Sequence, residues 1–112
     1  MTSSFEIKKA HGGKFFFQLT IDGDKIILTS ELYRQKASSQ NGIASVQKNC
    51  HDDTKYSRLR RKNGKLYFTL KAANYQVIGT SELYDTEEER EEGVKTIMKY
   101  GSTTTIRDLT KE

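Results

Sequence analysis

Thr29-Ser30-Glu31-Leu32-Tyr33 occurs a second time, unchanged, as Thr80-Ser81-Glu82-Leu83-Tyr84. The same offset, with no gap, lays Gly13-Lys14 on Gly64-Lys65, Phe17 on Phe68, Leu19 on Leu70, Ile27 on Ile78, Gly42 on Gly93 and Lys48 on Lys99. Between Gly13 and Cys50 about a dozen of roughly 38 aligned pairs are identical, where unrelated segments would share roughly two. The chain is therefore an internal duplication. Its 112 residues read as one domain, 1–112, made of two repeats at about 4–53 and 54–109. A repeat of that length buries too little surface to be secure alone, so the two copies are expected to share one core.

Upstream of the first motif, Lys14 to Ile21 alternates as a strand does: Phe15, Phe17, Leu19 and Ile21 on one face, Phe16, Gln18 and Thr20 on the other. Phe5 to Lys9 alternates in the same way. Asp22-Gly23 tolerates the positive φ of a hairpin turn, and Lys25 to Thr29 follows as a third strand whose unbroken apolar run leaves its faces unassigned. Downstream of Tyr33 the period lengthens. Ala37, Ile43, Val46 and Cys50 fall on one side of a helix over roughly 37–49. Gly42 sits inside that helix at a cost of about 1 kcal/mol relative to Ala. Gly93 repeats it, which points to close approach of helix and sheet.

The second copy repeats the plan with strands over Tyr56 to Arg61, Lys65 to Ala72 and Gln76 to Thr80. Asn74 stands where Gly23 stood and is expected to carry the positive φ. Thr86 and Glu89 form a capping-box pattern, whereas the equivalent Gln35 is a poor cap. Val94, Ile97 and Met98 make the helix's buried stripe, Gly101 is its expected stop, and Thr103 to Ile106 a closing strand. This is an α+β fold, an antiparallel sheet with both helices on one face.

Two units of the type Gly-Lys-Phe-Phe-Phe-x-Leu, Ile-Ile-Leu-Thr-Ser-Glu-Leu-Tyr and Asn-Gly-Ile-Ala-Ser-Val resemble the YegP-like family of small bacterial proteins. The resemblance runs from Phe5 to Leu109. It implies tandem β3-α-β units forming one mainly antiparallel sheet, with exchange of terminal strands between units. It also implies an uncharacterised function with no catalytic residues to carry over.

Formal net charge is +4 and the sequence pI about 9.2, which permits a polyanionic partner without demanding one. Met1 to Glu6 lacks the pattern of a signal peptide, and one cysteine, Cys50, cannot pair internally. Both point to the cytoplasm. Cys50-His51-Asp52-Asp53 lies on one short turn at the wrong spacing for a metal, so neither a metal nor another cofactor is expected. Ser30-Glu31 and Ser81-Glu82 invite a catalytic reading, but His11 and His51 do not recur with them, and corner-forming roles fit better, with Leu32 and Tyr33 anchored in the core. The expectation is a non-enzymatic interaction module that takes a protein partner or self-associates. Its surface is the sheet face away from the helices, with Phe16 and Tyr67 joined by Ile27 and Ile78. The alternative is polyanion or nucleic-acid binding through Arg58, Arg60, Arg61, Lys62 and Lys65.

Overall fold

The computed structural model describes residues 2–110. The chain runs β1 (Ser3–Lys9), β2 (Phe15–Ile21), β3 (Lys25–Ser30), α1 (Lys36–Asn49), β4 (Tyr56–Arg60), β5 (Leu66–Lys71), β6 (Val77–Thr80), α2 (Glu87–Tyr100) and β7 (Ile106–Asp108). One seven-stranded sheet has the order β4-β5-β6-β3-β2-β1-β7. Thr29 pairs directly with its own repeat, Thr80, where β3 meets β6. A pseudo-twofold axis perpendicular to the sheet therefore passes through that pair, and it sets both helices on the same face. The two copies share one core: Phe17, Leu19, Ile43 and Val46 from the first join Phe68, Leu70, Val94 and Ile97 from the second.

The sheet is mixed. β7 joins β1 in parallel, Phe5 opposite Ile106 and Ile7 opposite Asp108, while the other pairings are antiparallel. The closing strand thus begins at Ile106 rather than Thr103. Its Asp108 accepts a hydrogen bond from Lys36 Nζ at 2.8 Å, tying β7 to the start of α1. That contact and the Thr110 hydroxyl hold the Asp108 carboxyl well below the usual carboxylate range.

Several local expectations change. Ala37 is exposed, and the buried stripe of α1 is Ser39, Gly42, Ile43, Val46 and Asn49. In the second hairpin Tyr75, not Asn74, takes the left-handed conformation at φ 66°. Asn74 instead uses its Oδ1 to accept the Gln76 N–H at 3.1 Å. Such a local Asx turn fixes the loop without needing a positive φ at the asparagine itself. The capping box at Thr86 and Glu89 is present, whereas Gln35 makes no side-chain cap. Gly101 caps α2 in right-handed geometry, so its small size, not its φ, is what the site requires. A Cβ there would lie 2.6 Å from the Ile97 carbonyl oxygen and 2.8 Å from Cys50 Cβ.

Candidate functional site

The repeated pentapeptide builds a corner. Ser30 Oγ accepts the Phe17 N–H at 2.8 Å and donates to the Glu31 carbonyl at 2.8 Å. Ser81 does the same with Phe68 and Glu82, at 2.9 and 2.8 Å. Backbone pairing resumes at Phe15 with Tyr33 and at Leu66 with Tyr84. On β2 one residue lies between these two contacts, but on the motif side there are two, so the pair in the middle loops out. That is why Leu32 is 57% exposed and Leu83 47% exposed, against the expectation of a core anchor. Tyr33 does anchor: its ring stacks on Phe17 at 6.4 Å, as Tyr84 does on Phe68 at 6.3 Å. Each hydroxyl lies under a helix glycine, where a Cβ on Gly42 or Gly93 would strike it. Burial, with Glu31 or Glu82 nearby, pushes both phenols above their ordinary pKa. The serines are thus committed to the backbone.

Phe16 and Tyr67 lie half-buried on the face opposite the helices. Ile27 and Ile78 do not join them. Each is on the helix side, 2% and 4% exposed, in the shared core. The cause is a β-bulge in each hairpin, where the register shifts between Leu19 and Thr20 and between Leu70 and Lys71. The extra residue on β3 and on β6 turns two successive positions towards the core, Ile27 with Leu28 and Ile78 with Gly79. Nothing in a continuous apolar run marks that shift.

Register also reveals a feature that neither composition nor motif displayed. Reading across the helix-free face, Thr69 pairs with Thr80, Thr80 with Thr29, Thr29 with Gln18, Gln18 with Glu6, and Glu6 with Arg107. A polar row crosses both copies. Gln18 donates to Thr29 at 3.1 Å and accepts from Lys8 at 2.6 Å, and Arg107 bonds Glu6 at 3.0 Å. Thr69 is 7% exposed, and its hydroxyl has no partner among the described residues. Phe16 pairs with Lys8 on one side of this row, and Tyr67 with Leu59 on the other.

The basic stretch divides. Arg58 opposes Phe68 on the helix side, where it bonds Glu91 and Asp53, each at 2.8 Å. Those bonds raise the guanidinium's pKa further and lower that of Glu91. Lys65 is paired with Asp85. Arg60 and Lys62 are exposed at the β4–β5 hairpin. Arg61 alone of the five stacks over an aromatic ring, its guanidinium carbon 5.3 Å from the Tyr67 centroid. Adjacency in sequence had grouped side chains that alternate between two faces.

Around Cys50 the chemistry is that of packing. The buried thiol donates to the Gln47 carbonyl at 3.7 Å, and burial pushes its pKa up. Asp52 accepts from the Thr54 N–H and hydroxyl, which closes a turn. Among the described residues no group of three His, Cys, Asp or Glu side chains is placed to hold a metal.

Two β-rich repeats fused across a pseudo-twofold into one sheet, with helices on one face, define a tandem α+β domain. Residues 10–56 and 62–108 each match the family described as Domain of unknown function (DUF1508). The chain belongs to this family, which includes the UPF0339 proteins of the YegP type. A UPF0339 protein of Acinetobacter baylyi is 53% identical over 110 residues, covering 98% of this chain and 99% of the relative. The solution structure of Escherichia coli YegP, described as a protein of unknown function, superimposes with a TM-score of 0.93 at 41% identity, covering 100% of this chain and 97% of that one. A UPF0339 protein from Shewanella oneidensis does so at 0.92 and 45%, covering 98% and 93%.

Proposed function

We propose that this chain is a non-enzymatic binding module, and that it takes a single-stranded polyanion, RNA or DNA, across the helix-free sheet face. The observation that carries the reading is Arg61 seated on Tyr67, on a face whose pseudo-symmetric aromatic, Phe16, pairs with Lys8. Aromatic rings with basic side chains between hydrogen-bonding groups are what a flexible strand needs for base stacking and phosphate contact. Lys71 adds positive charge to the same face, and Glu6, its one acid among the described residues, is buried and paired with Arg107. Ile27 and Ile78, buried in the core, add nothing to this face. Ser30 and Ser81, bound to backbone groups, support the non-enzymatic reading. The placement of β7 beside β1 supports an exchange of terminal strands between units, and a single buried cysteine fits a cytoplasmic location.

Fluorescence anisotropy with labelled oligo-U and oligo-dT tests the reading. Binding should weaken steeply as salt rises. Tyr67→Ala together with Arg61→Ala should lower affinity by about tenfold or more, since stacking is worth roughly 1–3 kcal/mol per base. Failure to bind at low salt, or binding indifferent to both substitutions, defeats it.

A further inference from the structure

The helix face carries two grooves related by the pseudo-twofold. The first, about 620 Å³, lies between α1 and the β5–β6 hairpin, with Tyr33, Gly42 and Ile78 in its walls. The second, about 330 Å³, lies between α2 and β3, with Tyr84, Gly93 and Ile27 in the same places. Each groove thus joins the helix of one unit to the hairpin of the other, and the shared walls are repeat-equivalent residues. The rims have diverged. Asn41 and Gln76 border the first groove where Glu92 and Lys25 border the second, and Ser38 stands where Glu89 does. Glu89 is occupied by the capping box of α2.

We propose that the first groove binds a neutral saccharide or comparable polyol, and that the second has lost this capacity. A sugar presents neighbouring hydroxyls that each donate and accept, and a carboxamide offers one donor group and one acceptor side by side. Asn41 and Gln76 supply two such amides whose side chains make no hydrogen bond among the described residues, and the Ser38 hydroxyl is also unengaged. Val77 and Ile78 give an apolar floor for a ring's C–H face. No Lys or Arg lines the groove, so nothing there attracts an anion, and its one acid, Glu31, is an acceptor pair suited to vicinal hydroxyls. In the second groove the Glu92 and Lys25 charges favour water or each other over a neutral ligand.

The test is a two-dimensional NMR titration of the intact chain with glucose, N-acetylglucosamine and their short oligomers, beside glucose 6-phosphate. Neutral sugars should shift the amide signals of Asn41, Asn74 and Gln76 and leave Glu92 and Thr96 unmoved. Asn41→Glu with Gln76→Lys, which transplants the second rim onto the first groove, should weaken the interaction by about tenfold or more. The reciprocal Glu92→Asn with Lys25→Gln should introduce shifts at the second groove. These are exposed rim positions, and circular dichroism confirms the fold of each variant. No neutral sugar shifting the first groove, equal shifts at both grooves, or shifts that survive the transplant would overturn the proposal. Because oligonucleotides are expected on the opposite face, success or failure here is independent of theirs.

Discussion

The two repeats build the same corners but fill the space beside their shared axis differently. The Ser30 and Ser81 corners agree to within 0.1 Å in their hydrogen bonds, and Thr29 faces its own equivalent Thr80 across the axis. Beside that pair, equivalent positions meet as large against small. Leu28 is fully buried, and its equivalent Gly79 leaves room for it: a Cβ there would sit 2.9 Å from the Thr29 carbonyl oxygen and 3.0 Å from Leu28 Cγ. At the helix ends Cys50 meets its equivalent, Gly101, in the same way. A symmetric pair at either place would be overfilled or hollow. The difference shows that the units have become complements rather than copies.

The largest disruption of that relation is to remove one partner. Residues 1–53 alone should be unfolded at low micromolar concentration, or dimerise weakly, because a homodimer sets Leu28 against Leu28. Sedimentation with circular dichroism across a dilution series measures this; a folded monomeric half would show two independent units. The intact chain should then unfold in one transition. Next comes Gly79→Leu, which restores symmetry and should cost about 3 kcal/mol in urea denaturation through overpacking. Adding Leu28→Gly should recover part of that loss, since the pair exchanges knob and hole; strictly additive losses would mean the two positions do not pack on each other.

Gly42→Ala and Gly93→Ala compare the two helix seats. Each should lose about 1–3 kcal/mol despite better helix propensity. Gly42 should lose more, because its new Cβ lies 2.8 Å from the Phe17 ring against 3.1 Å from Phe68 at Gly93. Equal or reversed losses would place the strain in the tyrosine hydroxyls instead.

The smallest effect concerns the Arg58–Glu91 pair, found only in the second unit, where Ile7 and Gln40 hold the equivalent positions in the first. The hydrogen bond from Arg58 lowers the Glu91 pKa in the folded chain. Its contribution is therefore present above the ordinary glutamate range and fades as pH falls through the lowered folded value. Wild type should exceed Glu91→Gln in stability at neutral pH, by less with falling pH until the two converge in acid. A gap that persists in acid would assign the effect to packing.

Much of the architecture was legible in the sequence because duplication and period-two alternation are local signals. The Gly42 and Gly93 contacts followed from a helix liability present in both copies. Ile27, Ile78 and Leu32 were misplaced because bulges change parity without altering hydrophobicity. The polar row from Thr69 to Arg107 was invisible because it exists only in the register between strands. The two grooves were likewise hidden, since each draws its walls from both repeats.

The pairing of β1 with β7 has a consequence for synthesis. Phe5 leaves the ribosome long before its neighbour Ile106 does. Until then the first strand keeps one unpaired edge, and strand edges recruit other chains. Synthesis of Ile106–Asp108 is thus also the step that closes this edge. A nascent chain released before Ile106 would carry an open strand edge that the folded sheet covers.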